Sequence, residues 1–489
     1  MINKVAVLAL LGFLSLTGGA LLRSFLSPTE SAQTTVLAVS PEEPPEAIIY
    51  EQTETKYFNS FLDSSVSAAD EDKNSFLNFK NHFIKDDVSF VEAGLRQMRI
   101  TLYRDGEAVG QFPILSKGRE GSWWETPSGK YAVLSKEVNH FSSIGKVWMP
   151  WSVQFYGNFF IHGWPYYSDG TPVAKTYSGG CIRLSSEDAR EVFNFVDEDT
   201  PVLVLDEPAL VKNPNHSLLE NSEKDIASPD VYAKAVFIAD LDSGLVILDK
   251  NAAEPLPVAS LTKLMTAVTA SELIYLERYA KVLPEPLAGS LIDSLWSSPY
   301  FSPFLSSVSL VVGKSYTAFD LLYPLLMQSS NQSASVIASF IGKSNFVEQM
   351  NKKADSLGMQ FTTFADPSGK DDGNVSTLKD LAKLSKYILE KRKFLFDITK
   401  GENYLVFGPT NFGGLSNYND FYGEPALVGV KNGETRAAGQ TLVTVWNFKT
   451  PDGENRNIFV GVLGSADRKS DAENLLGWLE TNFGLGYNN

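Results

Sequence analysis

From about Asp86 the chain runs in short apolar stretches broken by turn residues. SFVEAGL, MRITLYRDGEAVGQFPI and GKYAVLSK alternate apolar and polar positions, with Arg104-Asp105-Gly106 as a turn signal. That period of two marks half-buried strands. NFFIHGW and CIRL continue the pattern, and PVLVLD closes it as a further strand. Between them SSEDAREVFNFV reads as a helix, with Ser185 or Ser186 as its cap and an acidic first turn. The pattern predicts a mostly-β domain over residues 86–206.

Residues 207–229 are polar and rich in Pro, Asn and Ser, and read as a linker. A second domain, 230–485, opens with AVFIADLDSGLVILDKNA, in which Asp242-Ser243-Gly244 signals a hairpin. Helical spacing then dominates from Leu261 to about Leu389. Strands return at ALVGVKNGE, QTLVTVWNF and NIFVGVLGS, and a last helix spans about Asp471 to Glu480. Strands at both ends with helices between predict an α/β (α+β sandwich) domain. Ahead of both domains, residues 27–85 are Ser/Thr/Pro/Glu-rich at first and read as a linker or stalk, partly disordered. Residues 1–26 carry Lys4, an uncharged run from Val5 to Leu22, and Arg23. This reads as a signal peptide or signal anchor, which places the rest of the chain outside the cytoplasm, held at the membrane by an N-terminal helix.

At 489 residues the chain is too long for one core, which agrees with two domains. A net charge of −16 without a basic block argues against nucleic acid as a partner. His82, His140, His162 and His216 are scattered, and no Cys/His cluster has zinc-ligand spacing, so neither a metal nor a cofactor is expected. Cys181 is the one cysteine and cannot form an intramolecular disulfide, so it is either a small buried hydrophobe or a working sulfur.

A nucleophilic thiol needs a base, a partner that orients the base, and donors for the oxyanion. His162 stands 19 positions before Cys181, and adjacent strands would bring the two together. Alternation in CIRL puts Cys181 and Arg183 on one face, with Ile182 and Leu184 towards the core. Arg183 would favour thiolate or hold a substrate carboxylate. Gly179 and Gly180 leave their N–H groups open to a substrate carbonyl. TPSGKY at 126–131, IHG at 161–163 and SGGCIRL at 178–184 together resemble the L,D-transpeptidase catalytic domain, over about residues 90–205. The resemblance implies Cys181 as nucleophile and His162 as base, with the Gly163 carbonyl orienting the imidazole and Gly180 and Arg183 at the substrate. Gly179 replaces the family's usual histidine, which implies altered substrate contacts or rate. His140 and His82 stand as other candidate bases.

In PVASLTKLM, Ser260 and Lys263 lie one helical turn apart, while Leu261, Leu264, Met265 and Val268 form the buried face. A lysine can act as base once desolvation and nearby positive charge lower its pKa, and Lys431 in VKNGET is a source of that charge. Ser329 and Asn331, in MQSSNQSA, would complete a proton path and offer an amide to the substrate. Singly these motifs are common. In the order SLTK, SSN, KNG and ET-x-x-AG they resemble the D-alanyl-D-alanine carboxypeptidases among penicillin-binding proteins, over about residues 230–485. This implies Ser260 as nucleophile, Lys263 as general base, Ser329 and Asn331 as second-motif residues, and Lys431, Asn432 and Gly433 on the strand edging the cleft. Asn432 replaces the usual threonine. None of Glu348, Glu390, Glu402 and Glu424 has asparagine four residues on, so the deacylation motif of class A β-lactamases is missing between 341 and 430.

Together the resemblances imply an exported enzyme that remodels peptidoglycan. Its serine domain would remove terminal D-alanine and its cysteine domain would join tetrapeptide stems. The implied partners are stem peptides, β-lactams as covalent inhibitors, and the membrane through the N-terminal segment. Two alternatives are a wall-binding scaffold with one or both sites inactive, and an L,D-carboxypeptidase in the first domain.

Overall fold

The computed structural model describes residues 75–174, 177–206, 215–222, 226–281, 310–311, 313–401 and 415–486. The expected signal segment and most of the expected stalk lie outside these residues. No helix among the described residues is long and apolar enough to cross a membrane.

In the first domain, alternation resolves into two sheets. Strands β1 (Phe90–Gly94), β2 (Arg99–Arg104), β3 (Glu107–Pro113), β4 (Gly129–Ala132) and β9 (Pro201–Leu205) form one, ordered β3-β2-β1-β9-β4. Strands β5 (Ser135–Ser142), β6 (Val147–Tyr156), β7 (Phe159–His162) and β8 (Ile182–Arg183) form the other, in sequence order. Their shared core includes Ile100, Val153, Ile161, Ile182, Leu184 and Val202. Asp105 and Gly106 both take positive φ and turn β2 into β3, as the Arg-Asp-Gly signal predicts. Of the two serines offered as cap, Ser185 does the work: its side chain accepts the Asp188 N–H at 3.0 Å, at the start of the helix Ser186–Phe195.

A helix over Ser75–Lys85, inside the expected stalk, docks on this domain through Phe83, which packs with Phe90 and Leu203. The expected linker is likewise not all spacer. Helix His216–Ser222 buries Leu218 in the core of the second domain.

The second domain centres on a five-stranded antiparallel sheet, ordered β11-β10-β18-β17-β16. Its members are β10 (Ala235–Asp240), β11 (Val246–Lys250), β16 (Leu427–Thr435), β17 (Gly439–Lys449) and β18 (Asn455–Ser465). Four short segments in two pairs complete the strands with described partners: β12 (Leu256–Pro257) with β15 (Val375–Ser376), and β13 (Tyr279–Lys281) with β14 (Ser315–Thr317). The central strands read as near-continuous apolar runs because both faces are covered. Phe237, Val443, Val445 and Phe459 face one core, while Val236, Ile238, Trp446 and Val460 face the other. On the first face lie α1 (Thr262–Leu273), α2 (Ala318–Met327), α3 (Asn331–Ser339), α4 (Lys343–Ser356), α5 (Leu378–Lys391) and α6 (Lys393–Lys400); α7 (Arg468–Phe483) covers the second.

Both domains lie within one contiguous unit. Leu273, at the end of α1, packs on the first domain's core, and Trp123 packs on that of the second.

Candidate active sites

The cysteine site forms where β7 and β8 run parallel, with Ile161 opposite Ile182 and His162 opposite Arg183. This is the adjacency the sequence required. Ile182 and Leu184 are fully buried in the core, and Cys181 sits on the other side, partly buried against Val147, Met149, Phe160 and Val173. The thiol faces the Asn158 carbonyl at 3.6 Å. His162 is buried, and its Nδ1 lies 2.6 Å from the Gly163 carbonyl, so Nδ1 carries the proton and Nε2 is left as the acceptor. The other candidate bases are engaged elsewhere. His140 meets Glu137 at 2.7 Å and stacks on Phe160, and His82 pairs with Asp86 at 3.2 Å.

One expectation is refined here and another corrected. Burial dominates the electrostatics, pushing the Cys181 thiol up to about 11 and holding the His162 imidazole down to about 3; Arg183 only moderates the first. Both groups are therefore held uncharged at neutral pH: Arg183 favours the thiolate, as expected, but burial outweighs it. The Gly180 N–H is also not open to a substrate: it donates to Ser178 Oγ at 3.0 Å. Arg183 itself is buried, with its guanidinium over the Trp164 ring at 5.7 Å.

The serine site is assembled at the start of α1. Ser260 lies in a short 3-10 turn, Ala259–Leu261, that feeds the helix. Lys263 Nζ is completely buried, 2.8 Å from Ser260 Oγ and 2.8 Å from Asn331 Oδ1, and it also bonds the Ser368 carbonyl. A neutral amine has two N–H donors and one lone pair. Asn331 and Ser368 take the donors, which leaves the lone pair for the Ser260 hydroxyl. Burial lowers Lys263 to about 7, against the attraction of Asp366. Lys431 was expected to supply this shift. It is instead itself held well below its usual value, by burial first and then by Lys263.

The remaining motif residues differ in what they touch. Ser329 takes positive φ, and its buried Oγ has no hydrogen-bond partner among the described residues. Lys431 Nζ bonds the Asn432 carbonyl at 2.8 Å, while Asn432 Nδ2 turns away to the Tyr418 carbonyl at 2.9 Å and Asp420 at 3.3 Å. Gly433 lies against the nucleophile: a methyl group there would stand 2.7 Å from the Ser260 nitrogen.

Comparisons with known proteins match two separate segments of the chain. Residues 89–204 match the L,D-transpeptidase catalytic domain, and residues 222–460 match the D-alanyl-D-alanine carboxypeptidase family. A D-alanyl-D-alanine endopeptidase of Escherichia coli K12 is 31% identical over 264 residues, 52% of this chain and 79% of that protein. The chain belongs to the D-alanyl-D-alanine carboxypeptidase family. Ahead of that domain it carries an L,D-transpeptidase catalytic domain. The carboxypeptidase DacF of Bacillus subtilis 168 is 30% identical over 43% of this chain and 53% of its own. A solved D-alanyl-D-alanine carboxypeptidase from Mycobacterium tuberculosis H37Rv is 25% identical, over 52% of this chain and 94% of that one, with a TM-score of 0.43.

Within the carboxypeptidase domain the sequence reading missed two groups. The ADPSGK loop wraps Asp366, whose carboxylate accepts the Gly369 and Asp371 N–H groups and so presents the Ser368 carbonyl to Lys263. Arg468 lies beside the third motif, bonding Asp420 at 2.7 Å and approaching the Gly433 carbonyl at 3.5 Å. The A-D-P-S-G turn signature was the available clue to the first; nothing local marked the second.

In the L,D-transpeptidase domain the two glycines before Cys181 differ. Gly180 has φ +111°, and a methyl group there would come within 2.3 Å of the Phe159 ring; at Gly179 the same group meets nothing within 4 Å. Gly180→Ala is expected to cost about 1–3 kcal/mol in thermal unfolding, from overpacking and strain. Gly179→His, which restores the family's usual residue, is expected to melt with the parent. A similar loss in both would show that the segment is not seated as described.

Proposed function

We propose that this chain is a bifunctional enzyme acting on peptidoglycan stem peptides outside the cytoplasm. The observation that carries the serine half is the placement of Lys263, a buried amine 2.8 Å from Ser260 Oγ whose other partners, Asn331 and Ser368, can take both N–H groups of its neutral form. In this reading Lys263 takes the Ser260 proton as Oγ attacks the carbonyl between the two terminal D-alanines. The last D-alanine leaves with a proton, and water then hydrolyses the ester. The Asn331 side-chain N–H groups are left for the substrate, and Arg468 gives the site positive charge for the terminal carboxylate, with Lys431 as a further N–H donor.

The cysteine half follows the same logic with different groups. His162 Nε2 takes the Cys181 proton during attack on the tetrapeptide, forming a thioester and releasing its D-alanine. An amine from a second stem then displaces the thiol. The product of the serine site is thus the donor for the cysteine site, and β-lactams are expected to acylate Ser260.

The test is to supply pentapeptide and assay free D-alanine. Release is expected from the parent chain and a loss of about 10³-fold or more in Ser260→Ala; undiminished release in that variant would refute Ser260 as the nucleophile. Intact mass after incubation with tetrapeptide is expected to show a tripeptidyl adduct on Cys181, absent in Cys181→Ala.

A further inference from the structure

The bed on which Cys181 rests is gripped by the other domain. Thr126 is fully buried; its Oγ1 donates to the Gly180 carbonyl at 2.8 Å and accepts the Gly118 N–H at 2.9 Å. The Trp124 carbonyl closes on Gly180 from the same side, 3.0 Å from where a methyl group would be. Residues 118–126 thus fix the backbone immediately before the thiol. The residue between Trp124 and Thr126 is Glu125; one carboxylate oxygen accepts the Gly121 N–H at 2.7 Å within its own domain, and its other partners belong to the end of α5 in the serine domain. Lys391 Nζ meets Glu125 Oε1 at 2.7 Å and also bonds Asp206, while Arg392 Nη2 donates to the Glu125 carbonyl at 3.1 Å. All three side chains, Glu125, Lys391 and Arg392, are almost completely buried. Buried charges of this kind are costly unless paired and well placed, and removing one partner leaves the other stranded.

We propose that the serine domain supplies positioning residues to the cysteine site: Lys391 and Arg392, acting through Glu125 and Thr126, hold the Gly180–Cys181 segment in its reactive place. The grip is one-sided in its effect on chemistry. Arg392 also pairs with Glu272 at 3.1 Å, but Glu272 lies nine residues beyond Lys263 along α1, about 13 Å by helical rise. The serine centre therefore stands well clear of the seam, whereas the thiol is reached in two residues.

The proposal rests on the reading of Cys181 as an acyl-accepting nucleophile, and its test separates the two. In the full-length protein, Lys391→Gln is expected to slow tripeptidyl-adduct formation on Cys181 by about tenfold or more, the scale of a small misplacement. Because the thiol loses its packing, the pH midpoint for its alkylation by iodoacetamide is expected to fall by about one unit or more towards the ordinary thiol range. Lys391→Arg keeps the cation and is expected to restore both. Labelling of Ser260 by a fluorescent penicillin is expected to stay within about twofold throughout. If Lys391→Gln does not fold, Glu125→Ala removes the acceptor of the same contact while leaving Lys391 with Asp206. The proposal is overturned if folded variants keep the parent's adduct rate and alkylation midpoint, or if Ser260 labelling falls in step with Cys181. A parent chain that forms no adduct at all would end the acyl-transfer reading alone, and the alkylation midpoint would still decide the positioning.

Discussion

Lys263→Met is expected to lower the rate at which penicillin acylates Ser260 by about 10²–10⁴-fold, the usual contribution of a positioned general base. Methionine matches the buried length and apolar stem of lysine, so the loss should come from the missing lone pair more than from packing. Lys263→Arg should fail as badly, since a guanidinium stays protonated and has no lone pair to offer. The parent enzyme should show the same group in its pH profile. Lys263 titrates near 7 because burial disfavours its charged form. Below that value it is protonated and cannot accept the Ser260 proton, so acylation should fall about tenfold per pH unit; above it the rate should level off. Stopped-flow or gel labelling across pH 5–9 checks this. Acylation retained within tenfold in Lys263→Met would remove Lys263 from the role of base.

His162→Asn is expected to lower tripeptidyl-adduct formation on Cys181 by a similar factor, about 10²–10⁴-fold. Its pH behaviour should be unlike that of the serine site. With imidazole held down to about 3 and the thiol up to about 11, neither changes charge between pH 5 and 9. The cysteine half should therefore hold its rate across the interval in which the serine half loses most of its own. Alkylation by iodoacetamide, which needs thiolate, should be slow at pH 7 and climb steadily towards pH 11. A plateau in alkylation already reached at pH 6 would show a preformed thiolate–imidazolium pair and contradict the neutral resting state.

Much of both centres could be read from the chain because their parts are local. Alternation in IHGW and CIRL fixes which side chains enter the core, and that in turn fixes where sulfur and imidazole emerge. The three-residue spacing of Ser260 and Lys263 makes them neighbours on any helix. What escaped acts through backbone or through distance. Asp366 touches no substrate-facing motif; it shapes a loop whose contribution is a carbonyl, which has no letter in the sequence. Lys391 and Arg392 close an amphipathic helix, LKDLAKLSKYILEK, where basic residues ordinarily meet water and the helix dipole. Only partners 266 and 185 positions away in sequence make Lys391 interior. The thiol's resting state was not legible for a related reason: Arg183 was visible as a charge, whereas the walls that desolvate Cys181 come from three separate segments, β6, β7 and the stretch around Val173.

Glu272 gathers Lys353 at 3.0 Å and Arg392 at 3.1 Å, with Tyr387 on the same carboxylate and Tyr131 from the other domain against Lys353. A joint locked in this way turns the separation of the two nucleophiles into a constant of the molecule, where a loose tether would have let one half swing to meet the other. On the proposed function, a polymer trimmed at the first mouth and stitched at the second would itself have to do the travelling. Slack in the strand, not reach in the protein, would then set how often a freshly cut end is used by the chain that cut it.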